Sequence, residues 1–422
     1  MKTIQINENI SLNFIKMDKL KTTSIGVYIH RPLNRDEVSF NAVLPIVLKN
    51  SSKLCPGHDA VAKYLENLYG ASMGAAVVKI GEDHVVYFDA ETISDTYAPD
   101  GEKLVAELLN LMMSSIFDTG AENYFDEKTV RQEKQSISDA IDAFVNDKRR
   151  YASARCEQAT ARGTNFEIFS LGDKEGLEKV TPESLYEYYK SIITSSVIDI
   201  YICGVADEKT AEGVVRKYTD NLTFTKSEIP ATDIIIRPER ELNEITEEMN
   251  VTQGKLSMGF LTNIKPTDEE SYALSVFNSI FGAGAHSKLF NNVREKLSLA
   301  YYAQSQLSKY KGMIIVNAGI EFENFKKAYD ETLVQLKEIQ DGNISEHEFS
   351  SSVNAIINSY NSYYDDQRAM AMFCLGEKIS GRNVTIEECI EKVKKVTMED
   401  VIAVSKKIQL DTVYFLKGVE EK

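Results

Sequence analysis

Histidine, cysteine and acidic residues are the side chains of this sequence that could bind a metal or transfer a proton. The zinc-binding helix patterns HExxH and HxxEH place two imidazoles on one helix face beside a glutamate. Neither pattern occurs around the five histidines, which are His30, His58, His84, His286 and His347. His58 and His84 have Asp59 and Glu82 near them in sequence, but scattered histidines are more typical of turns and surfaces. The sequence therefore predicts no metal site in this chain.

The composition is that of an acidic globular protein. The formal net charge is −16, and 43% of the residues are hydrophobic. This charge argues against nucleic acid as a partner, because phosphate binders need clustered Lys and Arg. The five cysteines form no CxxC pair, which fits a reducing compartment. No run approaches the ~20 apolar residues of a membrane span, and the first residues lack a signal-peptide pattern, so we expect a cytoplasmic protein.

The sequence contains an internal repeat. Residues 179–204 and 395–418 each begin with Lys-Val-Thr and end in a short apolar strand closed by glycine. Thr181 and Thr397 lie 216 residues apart, and each predicts a helix N-cap. Two further pairs of segments match upstream in the same order: 125–158 with 344–378, and 63–91 with 292–321. Three matched pairs in one order predict a duplicated structural unit.

Each half has the pattern of strands, two helices, a hairpin, further helices and a last strand. The apolar residues of 101–117 recur at four-residue spacing, which is typical of a helix that covers a sheet. This order predicts an α+β fold of two tandem homologous domains, each an antiparallel sheet covered by helices on one face. Pro230 and Pro238 interrupt the periodicity between the halves. We therefore expect an N-terminal domain over residues 1–232 and a C-terminal domain over 233–422.

The start of the second half is similar to a known family. The pattern consists of Gly282 and Gly284, then Ser287-Lys288-Leu289-Phe290, Arg294-Glu295-Lys296 and Leu299-Ala300-Tyr301. With the duplicated halves, it resembles the pitrilysin/insulinase/mitochondrial-processing-peptidase family of zinc peptidases and implies their LuxS/MPP-like metallohydrolase fold. The resemblance spans nearly the whole chain.

The resemblance implies a substrate-binding pair. In the family, an Arg and a Tyr hold the substrate backbone, and they correspond here to Arg294 and Tyr301. Both are hydrogen-bond donors suited to a carbonyl oxygen that gains negative charge. Ser298 stands where a glycine is usual, and the repeat-equivalent residues of the first half are Leu65 and Ser72, so only one half carries the pair. The alternative is a surface arginine near a helix end and a tyrosine that starts a strand.

The family's catalytic members bind zinc through HxxEH and a later glutamate. By position, these ligands fall on Leu44, Leu48 and Ala140, which cannot coordinate a metal. We therefore expect no catalytic residue and no cofactor in this chain, with zinc only in a partner subunit.

The favoured function is a non-catalytic, substrate-binding subunit of a heteromeric zinc metallopeptidase that acts on peptides. Its partner would be a zinc-bearing paralogous subunit, with a homodimer as the alternative state of the isolated chain. Two further hypotheses remain open. One is an inactive scaffold or interaction protein of the same fold, and the other is a peptidase with an unrecognised site.

Overall fold

A computed structural model describes residues 1–237 and 241–419. Pro238, one of the two prolines at the predicted boundary, lies outside the described residues. The strands are β1 Lys2–Gln5, β2 Ile10–Lys16, β3 Thr22–Ile29, β4 Ser72–Ile80, β5 Asp83–Ile93, β6 Ile198–Gly204, β7 Asn243–Met249, β8 Gly254–Leu261, β9 Ala300–Ser308, β10 Met313–Ile320 and β11 Gln409–Gly418.

The α-helices follow the predicted order in each half. They are α1 Val38–Lys49, α2 His58–Asn67, α3 Leu104–Phe117, α4 Glu127–Phe144, α5 Lys148–Thr160, α6 Lys174–Glu178, α7 Pro182–Ile193, α8 Glu208–Thr219, α9 Glu270–Asn278, α10 Phe325–Gln340, α11 Glu346–Ser362, α12 Gln367–Ile379, α13 Ile386–Lys394 and α14 Met398–Ser405. Thr181 and Thr397 both form capping boxes, at the starts of α7 and α14. In the described part of the chain, no helix is long and apolar enough to cross a membrane.

The first sheet has the strand order β1-β2-β6-β3-β5-β4. Its pairs are antiparallel except β2–β6, which is parallel; β6 follows helix α7, and a parallel pair needs such a crossover. Alternate residues of β3 and β6, such as Ile25, Val27 and Ile200, are buried in one core with residues of α1 and α3. The opposite face of β3 and β6 is contacted by α12.

The second sheet repeats this plan with the order β7-β11-β8-β10-β9. The pair β7–β11 is parallel, and the remaining pairs are antiparallel. On one face, Phe260 packs edge-on against Phe281, which stacks with Phe277 of α9. On the other face, Ala152 and Cys156 of α5 pack in a smaller core. The predicted α+β architecture of two homologous halves is confirmed.

Two helices join the compact unit of the other half. The first unit comprises residues 1–142, 168–231 and 363–379, and the second comprises the described residues of 143–167, 232–362 and 380–422. Helix α5 therefore belongs to the second unit and α12 to the first. The sequence analysis expects two consecutive domains with helices on one face of each sheet. In the structure, each sheet has one additional helix on its other face, and that helix comes from the other half of the chain.

Candidate functional site

Arg294 lies near the end of a π-helix, Leu289–Lys296. Val293 is buried beneath this helix, whereas the Arg294 side chain is 41% exposed. The guanidinium carbon lies 4.6 Å from the centre of the Phe290 ring, and Nε lies 3.4 Å from Glu295 Oε1. Because a guanidinium has five N–H donors, these contacts leave donors of Arg294 able to bind a ligand.

Tyr301 occupies a β-bulge in β9, the edge strand of the second sheet. Its neighbours Ala300 and Tyr302 pair with two adjacent residues of β10, so Tyr301 is the extra residue of the ladder. Such bulges redirect a side chain. The residue is 59% exposed, and its hydroxyl donates a hydrogen bond to Glu321. This hydrogen bond raises the pKa of Tyr301, so the hydroxyl remains a donor at neutral pH.

The turn between Arg294 and Tyr301 requires a left-handed residue. Ser298 has φ of +49°, a conformation that glycine adopts without steric cost. This explains why glycine is usual at this position in the family that the sequence resembles. In the first half the repeat-equivalent residue, Tyr69, has φ of +57°. The same turn geometry therefore occurs in both halves, but only the second half presents an arginine and a tyrosine beside it.

Arg294 and Tyr301 lie at the surface of one unit, but each side chain has its own partner. Arg294 contacts its helix neighbours and Tyr301 contacts Glu321 at the end of β10. Both are therefore accessible donors, as a substrate-binding role requires. The first-half equivalents differ in kind: Leu65 is half-buried and Ser72 begins the edge strand β4.

The three positions assigned to the lost zinc ligands do not form a common site. Leu44 and Leu48 lie on α1 and are buried in the core of the first unit, each about 1% exposed. Ala140 is exposed on α4. Within residues 1–237 and 241–419, no group of three or more His, Cys, Asp or Glu side chains could hold a metal ion. A cleft of about 430 Å³ near the end of α1 is lined by residues 119–126 and contains no histidine or cysteine.

His58 and His84 are not brought together either. His58 is exposed beside Asp59. His84 is buried, and its ring nitrogens lie 3.1 Å from Asn41 Nδ2 and 3.0 Å from the Ser170 carbonyl oxygen. Burial lowers the pKa of His84 to about 4, so the ring is neutral near pH 7. His84 therefore acts as a hydrogen-bonding residue of the interior.

Sequence reasoning missed a buried charged cluster in the first unit. The ring of His30 lies between Asp83 and Asp199, with Nε2 3.1 Å from Asp199 Oδ2, and Lys378 Nζ of α12 lies 2.6 Å from Asp199 Oδ1. Burial alone would lower the pKa of His30, but the hydrogen bonds that its ring donates to both carboxylates outweigh burial and raise this pKa to about 9. The signal available in sequence was an aspartate inside an otherwise apolar strand, Ile198–Gly204.

One sequence pattern was also overlooked. Residues 70–74 read GASMG, which matches the GxSxG pattern of serine hydrolases. That pattern requires a turn from a strand into a helix, with the serine at the turn. Here the order is reversed, because Ser72 begins β4 directly after the turn that follows α2. Ser72 is therefore not placed as a nucleophile.

Known proteins share this fold and sequence. Residues 179–356 match the family model described as Peptidase M16 inactive domain. The chain is 34% identical over 414 residues to a Bacillus subtilis protein described as probable inactive metalloprotease YmfF, covering 97% of this chain and 96% of that relative. A second relative from B. subtilis, described as uncharacterized zinc protease YmxG, is 24% identical over 72% of this chain and 74% of its own length.

A solved structure agrees along the whole chain. The crystal structure of a conserved protein from Enterococcus faecalis V583 superimposes with a TM-score of 0.91 at 28% identity, covering 100% of this chain and 99% of that one. The chain therefore belongs to the peptidase M16 family of pitrilysin/insulinase-like zinc peptidases. Within that family it is an inactive homologue that lacks the HxxEH motif.

Proposed function

We propose that this chain is the substrate-binding, non-catalytic subunit of a heteromeric zinc peptidase. A zinc-bearing paralogue would supply HxxEH, and this chain would supply Arg294 and Tyr301 to hold the peptide backbone. The observation that supports this proposal is the placement of Tyr301, whose bulge presents a protonated hydroxyl at an exposed sheet edge. A residue kept only for packing would be buried, because an exposed phenol contributes little to stability.

In the free subunit the Tyr301 hydroxyl is bound to Glu321, and a peptide would have to replace this hydrogen bond. Glu321 accepts the Tyr301 hydroxyl, so a peptide carbonyl would have to compete with a carboxylate for that donor. This competition would keep Tyr301 oriented without a ligand and would favour an oxygen that gains negative charge over a neutral carbonyl. We propose that the pair therefore acts mainly on the rate of cleavage rather than on the affinity for peptide.

The first unit offers a separate place for an extended peptide. Strand β4 lies at the end of the first sheet, and in the described part of the chain only β5 pairs with it. We propose that a peptide segment adds to the free edge of β4 around residues 70–76 by main-chain hydrogen bonds.

The five cysteines are all free thiols, and we place the assembly in the cytoplasm.

The test is to reconstitute cleavage with a zinc-bearing paralogue from the same genome. Arg294→Ala and Tyr301→Phe should each reduce turnover by about 10²-fold, the usual effect of losing one donor to a developing oxyanion. The matched controls are Arg131→Ala and Tyr97→Phe, which change the same residue types at exposed positions. Melting temperature and complex size should not change in any of the four variants.

Two results would contradict the proposal. Undiminished cleavage by both Arg294→Ala and Tyr301→Phe would leave the pair without a role and favour the scaffold hypothesis. About one zinc bound per isolated chain after tag removal, together with chelator-sensitive cleavage by that chain, would show that it has a catalytic site of its own.

A further inference from the structure

Helices α5 and α12, which each pack in the unit of the other half and are called the exchanged helices below, carry an equivalent arginine. Asp147 caps α5 by accepting the Arg150 N–H at 3.0 Å, and Asp366 caps α12 by accepting the Ala369 N–H at 3.0 Å. Both helices have thirteen residues. Aligning the two caps places Arg149 of α5 opposite Arg368 of α12, so the duplicated fold presents the same side chain over the second face of each sheet.

In the first unit this arginine meets a carboxylate. Arg368 Nη2 lies 2.9 Å from Asp89 Oδ2. Asp89 is on β5, and its side chain covers Gly74 of the neighbouring strand β4, where a Cβ atom would lie 2.6 Å from the carboxylate oxygen. The charge of Arg368 is therefore neutralised within the unit.

In the second unit the equivalent arginine meets an aromatic ring. The Arg149 guanidinium carbon lies 4.2 Å from the centre of the Tyr302 ring. Tyr302 covers Gly319 of the neighbouring strand β10, as Asp89 covers Gly74 in the first unit. The covering side chain comes from β5 in the first unit and from the edge strand β9 in the second, so the arginine meets a phenol ring instead of a carboxylate.

A second cation, Lys255, lies on the same face of the second sheet as Tyr302. Lys255 of β8 pairs with Gly319, and Gly319 pairs with Tyr302, so all three residues face one side of the sheet. Burial, and then the nearby charge of Arg149, lower the pKa of Lys255. Its ammonium donates to the side-chain oxygen of Gln253, which is neutral.

Two adjacent cations therefore lack a carboxylate in a chain whose net charge is −16. Among the described residues, neither Arg149 nor Lys255 forms an ion pair. Asp147, whose charge acts on Tyr302, accepts the Arg150 N–H as the cap of α5. Like charges held together repel each other, and a bound anion would remove that repulsion.

We propose that Arg149, which the face of Tyr302 holds in place, and Lys255 form a binding site for a carboxylate of a peptide. Arginine binds carboxylates through paired N–H donors, and lysine adds a point charge. The site is next in sequence to Tyr301, so it deepens the proposed function, on which it rests: a peptide held at Tyr301 would place a carboxylate one or two residues away. The carboxylate is either the peptide's C-terminus or an Asp or Glu side chain.

The test uses three fluorescein-labelled Ala/Ser peptides: one with a free C-terminus, one with an amidated C-terminus, and one amidated with a single internal Glu. Fluorescence anisotropy with the purified full chain should show at least one carboxylate peptide binding about tenfold more tightly than the plain amide, as expected for charge-assisted hydrogen bonds. Whichever of the two peptides shows the gain identifies the source of the carboxylate.

Variants then locate the effect. Arg149→Gln and Lys255→Gln should each remove most of the roughly tenfold preference, so that the carboxylate peptide binds about as tightly as the amide. Arg150→Gln removes the same charge from an adjacent exposed position and should retain the preference. Equal binding of all three peptides, no binding at millimolar concentration, or equal losses in Arg149→Gln and Arg150→Gln would overturn the site. The proposed role of Arg294 and Tyr301 is tested separately, since Arg294→Ala should slow reconstituted cleavage while leaving the carboxylate preference unchanged.

Discussion

The last strand of each half has an aspartate near its start, and this aspartate binds a cation at or just after the end of the helix from the other half. In the first unit, Asp199 of β6 accepts from Lys378, which lies at the end of α12. In the second unit, Asp411 of β11 accepts from Arg162 at 2.6 Å, and Arg162 lies just after the end of α5. The two sheets thus bind a helix from the other half through the same kind of contact.

The surroundings of the two aspartates differ. Asp199 and His30 are fully buried, and the second carboxylate of that cluster, Asp83, is buried as well. Asp411 is 4% exposed, but its partners Arg162 and Arg237 are 37% and 17% exposed. The first contact therefore depends on a titrating imidazole in the interior. The second depends on arginines that remain charged and reach water.

This difference in burial predicts how much stability each contact loses when one of its partners is removed. Removing one partner of a buried charged group leaves the others unpaired at low dielectric, which is costly. A half-exposed pair loses less, because water solvates the remaining charges. We therefore expect substitution of the aspartate to cost more stability in the first unit than in the second.

Neutralising the two aspartates gives the largest expected effect. Asp199→Asn should destabilise the first unit by about 3–5 kcal/mol, since it leaves the buried charge of His30 without one of its two carboxylates. Asp411→Asn should destabilise the second unit by only about 1–2 kcal/mol. Urea unfolding gives the totals, and hydrogen exchange at the amides of β6 and β11 assigns each loss to its unit.

The two variants control for each other, because each replaces an aspartate by its neutral isostere near the start of a last strand. Equal losses in the two units would show that burial does not distinguish the contacts. A loss in Asp199→Asn spread evenly over both units would show that the cluster does not act locally on α12.

The second-largest expected effect is that alkaline pH destabilises the first unit more than the second. The pKa of His30 is raised from 6.5 to about 9, so its stabilising charge is fully present below pH 6.5 and is lost as the pH rises through about 9. The expected loss in the first unit is on the order of 3 kcal/mol between pH 7 and 10. Burial would raise the pKa of Asp199, but hydrogen bonds from His30 and Lys378 lower it to about 2, so Asp199 remains ionised over this range.

The second unit is the internal control for that experiment. Burial would raise the pKa of Asp411, but hydrogen bonds from Arg162 and Arg237 lower it. Its contribution is therefore present above the ordinary range near pH 4 and is lost only as the pH falls below that range. Hydrogen exchange at pH 7 and pH 10 should show faster opening of β6 than of β11, and parallel changes in both strands would refute the role of His30.

The smallest effect concerns the turn that both halves share. Ser298→Gly should stabilise the second unit by about 0.5–1 kcal/mol, because glycine relieves the cost of a positive φ. Ser136→Gly, on the exposed face of α4, is the matched control and should destabilise by about 0.5 kcal/mol through lower helix propensity. Thermal unfolding of both variants is sufficient, and the prediction fails if the two substitutions shift the midpoint in the same direction.

The duplicated α+β plan was readable from the sequence. Apolar spacing within helices and strands is a local property, and matched segments such as 179–204 and 395–418 repeat it in the same order. The caps at Thr181 and Thr397 depend on residues only three positions away, and they form as predicted. The motif indicated Tyr301 as a substrate-binding residue, although the bulge that redirects its side chain depends on pairing with β10.

The sequence by itself determined the fold class, the family and the absence of HxxEH, because each of these depends on residue types at fixed spacing. Only the tertiary structure decided which sheets α5 and α12 cover, because the sequence of a helix's packing face does not specify which of two similar sheets it contacts. It also decided that His30, Asp83 and Asp199 share one cluster and that Arg149 lies over Tyr302. These residues are far apart in the chain, and only strand pairing and the exchange of helices bring their charges into contact.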